Sequence, residues 1–591
     1  MRYRKVQIVC LVVTSYGTVV KSSGAAVIIS DPAVVSPSNP DAWDENTHVG
    51  IGNREGSDAW VFVSEGMVIT QAKGSYRSYV GSATNATGRL TVTEKAHVNL
   101  AFDFYLGYGT GSMGILEIYN GGKVTAENVI DIGYGQDSVG IVNIDNGWLS
   151  TKSGIHIGSV TTLNPGASRC TGAVMLTNGS TMNAPSGITV GNTSVSSVLS
   201  GSTVTTGAYS NDTIAGTALV SGAGTTWTTS SSLRIEDSKY YHQAKLTVTD
   251  GGTVNVGTLL SVGAPGYAML EITNGNTVVS GSGQIGGEVR SAGVVVVDGS
   301  GSSWTNKGTI SMGCQGSGAL MVRNGGLVAM TSIKTGTGVV DLEFDGGTLK
   351  AQESVSEIFS GTYNSLKLTG GGMTMQIDSG LSIGMGQVFT GDGGMNKTGS
   401  GTLTLSTRQE YTGLTVVREG TLAGTVSLAG GLVVRNGGTF APGAAGRSWI
   451  ADMGGFTLDR GGILALKIGG YTDSLLVDGD VMLNGTLALV TSGTVENGSH
   501  TLIINWGDNP VHGTFSDIMV NGAPAELHSV DGLCGGGWFE INGKTFALSY
   551  GGQAYTGSLH GGHDVILNID VKSASSHRHR DRGRQCLNRP R

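Results

Sequence analysis

The stretch LEITNGNTV, which runs from Leu270 to Val278, recurs in nearly the same form along the chain. Its close copies are LEIYNGGKV from Leu116, LTVTDGGTV from Leu246, LMVRNGGLV from Leu320 and LVVRNGGTF from Leu432. Each copy has apolar residues at alternate positions up to an Asn-Gly or Asp-Gly pair. A period of two that stops at such a pair is typical of a β-strand ending in a sharp turn.

A second and a third short strand are predicted in every repeat. In the copy at Leu246, the apolar residues Leu246 and Val248 face inward, and the strand TVNV at 253–256 follows the Asp-Gly turn. An apolar residue followed by glycine then recurs, as in DIGYG from Asp131 and SVGAP from Ser261. We therefore expect each repeat to contain three strands separated by turns.

The spacing of the repeats decides the architecture. The predicted inward-facing anchors are Leu90, Leu116, Val142, Val174, Val198, Val220, Leu246, Leu270, Val296, Leu320 and Leu342. Their separations lie between 22 and 32 residues, close to a period of 24. That period is shorter than a propeller blade of about 40 residues, and it lacks the helix of a leucine-rich repeat. We predict an all-β, right-handed parallel β-helix, a pectin-lyase-like solenoid with about 24 residues per coil.

The composition agrees with a β-solenoid and excludes other classes. Glycine accounts for 99 of 591 residues, yet there are only 10 prolines and no three-residue period, which excludes collagen. The net charge is −8, and because positive charge is concentrated near both termini, the body of the chain is more acidic still. An acidic body argues against a nucleic-acid partner.

The chain divides into six predicted segments. Residues 1–26 are a predicted signal peptide, because MRYRK is basic, VQIVCLVV is apolar and SSGAA offers small residues for cleavage near Ala26. The alternative is a buried first strand. A cap follows at 27–60, then β-helix repeats at 61–350, an irregular β-helix segment at 351–395, further coils at 396–570, and a basic, disordered tail at 571–591. The five cysteines have no metal-like or disulfide-like spacing and are interpreted as incidental.

One segment carries a specific family resemblance. Residues 397–422 read KTGSGTLTLSTRQEYTGLTVVREGTL. This segment closely resembles the autotransporter-associated β-strand repeat, and the flanking 344–351 and 474–490 are similar to segments usual in such proteins. The residues that match the repeat are Lys397, Gly399, Gly401, Leu403, Leu405, Tyr411, Gly413, Thr415, Val417, Gly420 and Leu422.

The resemblance implies an exported β-helical stalk of an autotransporter passenger, often adhesive and without catalysis. It implies an extracellular or cell-surface location, reached through the export machinery and associated with the outer membrane. Extracellular or host-cell glycans or surface proteins are the implied partners. The sequence departs from a complete autotransporter after Asp570, where we expect no translocating β-barrel, since that needs at least eight strands of about ten residues.

An enzyme is the alternative, because parallel β-helices also host polysaccharide lyases and hydrolases. Such sites need clustered carboxylates, or carboxylates with arginine or lysine on one face, whereas here the acids are sparse and dispersed. The best cluster is Glu236–His242, EDSKYYH, which is more simply a surface insertion. Trp227 and Trp304, in the related stretches VSGAGTTW and VDGSGSSW, are expected to pack in turns rather than bind ligand.

Two motifs resemble metal sites without completing one. HGGHDV places His560, His563 and Asp564 together, but the following DVILNI reads as a strand, so the histidines are expected in an ordinary turn. Gly-Asp-Gly-Gly at 391–394 resembles one corner of a calcium repeat, but no tandem copy accompanies it. We predict no catalytic, cofactor-binding or metal-binding residue and no cofactor.

Overall fold

The computed structural model describes residues 18–22, 25–29, 35–36, 48–71, 75–158, 170–191, 194–207, 211–236, 243–443, 450–492, 495–507, 509–530, 533–541 and 543–569. Within these ranges every regular element is a β-strand. The strands form stacked parallel coils, and the predicted right-handed parallel β-helix is confirmed. The chain divides into two compact units, unit 1 (1–271 and 276–278) and unit 2 (272–275 and 279–591).

Unit 1 is built from three sheets, and each coil contributes one strand to each. Sheet A1 contains Thr18–Ser22, Ala25–Ile29, Asp58–Ser64, Thr87–Val92, Met113–Tyr119, Val139–Asp145, Thr171–Thr177, Val195–Leu199, Thr217–Ser221 and Gln243–Thr249. Sheet B1 contains Val35–Ser36, Val49–Ile51, Ser78–Val80, Phe104–Leu106, Ile130–Ile132, Ile155–Ile157, Ile188–Val190, Asn211–Ile214, Ser232–Ile235 and Leu259–Val262. Sheet C1 contains Val68–Thr70, His97–Leu100, Lys123–Ala126, Trp148–Thr151, Thr181–Ala184, Thr203–Thr206, Thr226–Thr229 and Thr253–Val256. The strands Tyr267–Thr273 and Thr277–Ser280 fall where the chain passes from one unit to the other.

Unit 2 begins with three sheets and changes two of them along its length. Sheet A2 contains Ala292–Asp298, Ser317–Arg323, Val340–Asp345 and Ser365–Leu368; sheet B2 contains Ser282–Ile285, Thr309–Met312, Ser332–Thr335 and Phe359–Ser360. Sheet C2 contains Ser303–Asn306, Leu327–Met330, Gly347–Ala351, Met373–Gln376, Met395–Thr398, Thr415–Val417, Leu432–Val434, Phe456–Leu458, Val481–Leu483 and His512–Gly513. Sheet D2 contains Ser382–Met385, Thr402–Leu405, Gly420–Gly424, Gly438–Pro442, Ile463–Gly469, Thr486–Ser492, Asp517–Val520 and Ala523–Ala525. Sheet E2 contains Arg408–Gln409, Ser427–Leu428, Ile450–Met453, Ser474–Val477, Gly498–Asn505, His528–Ser529, Gly537–Ile541, Lys544–Gly552 and Asp564–Ile569.

Strand register follows the predicted ladder where the apolar residues are large. Leu90, Leu116, Val142 and Val174 pair in succession in sheet A1, each on its neighbour. All four side chains are buried. Apolar residues at equivalent positions in successive coils therefore form a continuous core ladder, and each coil buries the inner face of the next.

Three predicted anchors do not fall on the ladder, although two of them, Val198 and Val220, are buried and pair with each other. Val174 pairs with Ser196 and not with Val198, while Leu246 pairs with Ala218 and not with Val220. Small buried residues occupy the ladder at these two places, so hydrophobicity did not indicate the register. A register shift of two residues still leaves the same face of the strand inward.

The third wrong anchor, Val296, lies in the run Val294–Val297. Leu320 pairs with Val295, and the Val296 side chain faces outward. Four consecutive valines carry no alternation, so the sequence does not specify which of them face the core.

Four of the five quoted Asx-Gly corners are left-handed at both residues, and in the fifth only Gly437 is. Asn120 and Gly121 have φ values of 49° and 81°, and Asp250 and Gly251 have 55° and 91°. Asparagine, aspartate and glycine tolerate this region best, because it crowds the Cβ of other residues. The corners also stack on one another, since Gly121 N donates to Asn146 O over 2.6 Å.

Antiparallel strands adjoin the parallel coils in both units. In unit 1, Ala25–Ile29 runs antiparallel to both Thr18–Ser22 and Asp58–Ser64. In unit 2, Asp564–Ile569 runs antiparallel to Gly498–Asn505 and to Lys544–Gly552. The signal peptide at 1–26 stays a prediction, and most of it lies outside the described residues, as does the tail at 571–591.

Candidate functional site

The two candidate tryptophans fill the core from the strands Thr226–Thr229 and Ser303–Asn306, and not from turns as expected. Both indole rings are fully buried. Trp227 Nε1 donates to Asp212 Oδ2 over 2.9 Å, and Trp304 Nε1 donates to Ser280 Oγ over 3.0 Å. Their function is therefore to fill the coil interior while satisfying one polar group each.

Asp212 is a buried carboxylate that the sequence did not single out. Besides the Trp227 indole, it accepts hydrogen bonds from Thr206 Oγ1 at 3.0 Å and from Ile188 N at 3.0 Å. Burial raises its pKa to about 6, and these hydrogen bonds oppose the rise. The carboxylate links neighbouring coils through their interior and has no access to a ligand.

The other sequence candidates are not brought together into a site. Glu236 forms an ion pair with Arg234, with Nε and Oε2 2.7 Å apart, and residues 237–242 lie outside the described part of the chain. Asp564 accepts hydrogen bonds from the backbone nitrogens of Asn505 and Ala554, at 2.9 and 2.7 Å, so it holds a turn in place. No group of three or more metal-ligating side chains occurs among the described residues.

The cysteines differ from one another. Cys170 and Cys314 are not disulfide-bonded. Cys534 is disulfide-bonded, so the interpretation of this cysteine as incidental is wrong. Cysteine spacing in the sequence gave no sign of it, because the separations in the chain follow no framework.

The motif residues of the 397–422 repeat point into the coil. Lys397 is fully buried, and its Nζ donates to three backbone carbonyls, those of Thr398 at 3.0 Å, Gly399 at 2.5 Å and Glu419 at 3.0 Å. Burial lowers the pKa of Lys397 to about 8, and the Glu419 carboxylate opposes that shift. The lysine therefore stabilises a turn from the inside of the coil, because it donates hydrogen bonds to carbonyls that would otherwise lack donors.

Tyr411 and Gln409 have the same kind of role. The buried Tyr411 hydroxyl lies 2.6 Å from Thr415 Oγ1. The buried Gln409 amide accepts from Phe389 N at 3.1 Å and donates to Gln387 O at 2.9 Å. These polar motif residues complete the interior hydrogen bonds of the coil and present no reactive group to solvent.

An outward-facing aromatic cluster in unit 1 was missed by the sequence analysis. We call it the tyrosine surface, and it consists of Tyr79, Tyr105, Tyr108 and Tyr134 on sheet B1 and the turns that follow its strands. Ring centroids of Tyr79 and Tyr105 are 5.5 Å apart, and those of Tyr108 and Tyr134 are 5.3 Å apart with an interplanar angle of 6°. Tyr105 is largely covered, whereas the other three rings are half-buried.

A signal for this surface was present in the spacing. Tyr105 follows Tyr79 by 26 residues, and Tyr134 follows Tyr108 by 26 residues, which is one coil in this part of the chain. Register confirms the relation directly, because Tyr79 pairs with Tyr105. Scanning for residues that recur at the coil period on outward positions would have found the cluster.

Paired charges adjoin the tyrosine surface. Arg77 Nε lies 3.3 Å from Asp103 Oδ2, and the Tyr105 hydroxyl donates to the same oxygen over 3.0 Å. One coil further, His156 Nδ1 lies 2.7 Å from Asp131 Oδ1. The hydrogen bond to Asp131 raises the pKa of His156 above its usual range, and burial opposes it. Burial, together with the Asp103 carboxylate, raises the pKa of the Tyr105 phenol.

A recess of about 310 Å³ lies at one end of the tyrosine surface. It is lined by His48, Gly50, Asn53, Tyr79, Ser82 and Tyr108. A second recess, of about 360 Å³ in unit 2, is lined by Ser354, Val355, Ser356, Ser382, Gly384 and Thr404 and has no aromatic wall. Of these two, only the first combines aromatic rings with polar side chains.

Comparison with known proteins identifies one segment of the chain. Residues 395–423 match the passenger-associated-transport-repeat family. They contain the 397–422 segment whose motif residues build the interior contacts described above. A search of curated proteins found no match. A helix of sufficient length and apolarity to cross a membrane was not found in the ranges that the structure describes. The chain thus carries a passenger-associated-transport-repeat at 395–423, set in a β-solenoid, consistent with an autotransporter passenger repeat protein.

Proposed function

We propose that the protein is an exported, surface-displayed structural protein whose coils present an outward polar and aromatic face to the extracellular medium. The observation that carries the proposal is the transport repeat at 395–423, which lies within the stacked coils of unit 2. Passenger-type repeats imply passage through export machinery and display at or release from the cell surface. A solenoid suits that role, because its stability is distributed over nearest-neighbour coils rather than held in one core.

Cell fractionation tests the proposal. Cells that express the native gene are separated into cytoplasm, envelope and medium, and the protein is located by antibody and its mature N-terminus sequenced. We expect it at the surface or in the medium, with cleavage near Ala26. An uncleaved protein confined to the cytoplasm would contradict export and with it the proposed function.

We propose further that the role is adhesive and non-catalytic. The two buried carboxylates that adjoin the tyrosine surface support the non-catalytic part, because Asp103 is held by Arg77 and Tyr105, and Asp131 is held by His156. A glycoside hydrolase needs one carboxyl group to give a proton and another to act as base or nucleophile. Carboxylates that are already paired with neighbouring side chains fit a structural role better than either of these catalytic roles.

The alternative, a polysaccharide-active lyase or hydrolase, has one observation in its favour. Asp131 and His156 form an outward acid–base pair one coil from Tyr105. Incubation with neutral and anionic polysaccharides separates the two functions. The adhesive proposal expects no new reducing ends and no unsaturated uronate, and product formation that His156→Ala abolishes would favour the enzyme.

A further inference from the structure

The recess exists because one outward position lacks a side chain. In sheet B1 the outward row runs Gly50, Tyr79, Tyr105 and Asp131, each paired with the next. The two tyrosines fill their places in the row, whereas Gly50 leaves its place open beside the Tyr79 ring. The resulting space of about 310 Å³ is at the lower end of the range for small-ligand pockets.

Two aromatic rings form one wall of the recess. The centroids of Tyr79 and Tyr108 are 4.6 Å apart and the rings meet edge to face at 61°. Tyr108 is backed by Tyr134, and Tyr79 is backed by Tyr105. The wall is therefore rigid, because each ring is supported on the side away from the recess by a ring from the next coil.

Polar groups form the rest of the lining. His48 stands 6.2 Å from the Tyr79 ring centroid, and its Nδ1 lies 3.2 Å from Arg77 N, which fixes the imidazole at the rim. Ser82 Oγ donates to Gly52 O over 3.1 Å, so its oxygen can accept a further hydrogen bond. Asn53 is exposed and offers both an acceptor and a donor.

The charge of the site favours a neutral ligand. None of the lining residues is an acid, a lysine or an arginine, and the adjacent Arg77 is already paired with Asp103. A phosphate, sulfate or uronate would find no unpaired cation among these groups. A ligand with one apolar face and several hydroxyl groups at its edge would satisfy both the rings and the polar rim.

We propose that this recess binds a pyranose ring of a neutral glycan, with its C–H groups against the wall formed by Tyr79 and Tyr108 and its hydroxyl groups toward His48, Asn53 and Ser82. The inference deepens the proposed adhesive function, and it rests on that function because the protein must be displayed outside the cell to encounter such a glycan. Neighbouring coils are about 4.8 Å apart, which is similar to the length of one sugar unit, so a longer chain can continue along the tyrosine surface toward Tyr134.

Titration calorimetry on the purified full chain tests the site. The probes are neutral β-1,4-linked glucan, mannan and galactan pentasaccharides, and a uronate oligosaccharide serves as the anionic comparison. We expect saturable binding of at least one neutral probe and none of the uronate. Tyr108→Ala should weaken that binding about tenfold or more, whereas Tyr108→Phe should keep it, since stacking needs the ring and not the hydroxyl.

Gly50→Tyr is the sharper variant, because it fills the recess. A Cβ at Gly50 would lie 3.6 Å from both Asn53 Cβ and Ser82 Oγ, which is ordinary contact, and the same row already holds tyrosine in the next two coils. We expect the fold to persist by circular dichroism and the binding to be lost. Tyr267→Ala, which removes a 54% exposed tyrosine elsewhere in unit 1, is the matched control and should leave binding unchanged.

Each contrary outcome is decisive. Binding of no neutral probe, binding of the uronate alone, or binding that survives in a folded Gly50→Tyr protein would overturn the inference. The assay on purified protein does not depend on export. If the protein is at the surface but binds no glycan, only this inference is contradicted. If the protein is cytoplasmic but binds a glycan, only the proposed function is contradicted.

Discussion

The coils that carry the tyrosine surface and the coils of the transport repeat use similar residues on opposite faces. In the former, Tyr79, Tyr108 and Tyr134 face outward and remain half-buried. In the latter, Tyr411 and Lys397 face inward and are fully buried. Residue type therefore does not reveal the role in this fold. The direction of the side chain does, because side chains that point inward build the coil and those that point outward are available to a ligand.

The largest effect should come from charging the inward face. Leu176→Asp places a carboxylate in the core ladder of unit 1, where burying an unpaired charge should cost about 5 kcal/mol. Met175→Asp, one residue earlier and 44% exposed, should cost less than about 0.5 kcal/mol. Hydrogen exchange measured by mass spectrometry should show the neighbouring coils opening in the first variant only. Equal protection in both variants would contradict the assigned faces.

The second-largest difference in stability between the two regions should come from removing a tyrosine in each. Tyr411→Ala empties a closed interior and leaves Thr415 without its partner, so unit 2 should lose about 4 kcal/mol. Tyr134→Ala removes a ring from the outer surface and should lower the stability of unit 1 by about 1 kcal/mol. Chemical denaturation of each variant measures the difference. Comparable losses would mean that the tyrosine surface is itself a core.

Replacing the buried lysine should cost somewhat less. Lys397→Met keeps the apolar stem but removes the donor from three carbonyls, and we expect a loss of about 3 kcal/mol at pH 7. Lys367→Met, at an exposed position, is the control.

The pH dependence of this effect has a definite sign. The folded pKa of about 8 lies below the unfolded value of 10.5. Between these values the unfolded chain holds the proton and the folded chain does not, so the wild-type chain gains stability relative to the Met variant as pH rises. A difference that stays flat between pH 8 and 10 would contradict the assignment.

The last prediction concerns the pH dependence of stability that arises from Asp212. Its folded pKa of about 6 lies above the unfolded value of 3.8, so the folded chain binds the proton more tightly across that range. Stability should fall by about 2 kcal/mol as pH rises from 4 to 6, and it should fall less in Asp212→Asn. Thermal melts at several pH values measure it. A wild-type profile that matches the Asn variant would show that the carboxylate titrates normally.

Much of the fold was predictable from sequence because the corners repeat. The Asn-Gly and Asp-Gly pairs fixed the turns, and large residues such as Leu90 and Leu116 fixed the register. Prediction failed where the ladder is built from small residues, as at Ser196, or where alternation is lost, as at Val296. A buried serine is not apolar, and Val296 does not differ from the valines beside it, so only strand pairing reveals which face each position occupies.

The candidate site was not predicted for a different reason. Its residues come from successive coils, and a single tyrosine carries no signal of its own; only the recurrence of tyrosine at the 26-residue coil period does. The inward position of Lys397 was also unexpected, because lysine is rarely buried completely. It becomes intelligible only once the carbonyls of Thr398, Gly399 and Glu419 are seen to converge on one point.

The antiparallel strands next to the coils have a consequence for polymerisation. A parallel coil whose backbone donors and acceptors are left open can template the same coil of another molecule and so propagate into a fibre. Ala25–Ile29 on Asp58–Ser64 and Asp564–Ile569 on Gly498–Asn505 reverse the direction of the chain at those positions. Antiparallel and parallel ladders differ in hydrogen-bond spacing, so an incoming coil does not find a matching pattern there. In the two sheets that they join, these strands therefore leave no matching parallel ladder for a coil of another molecule.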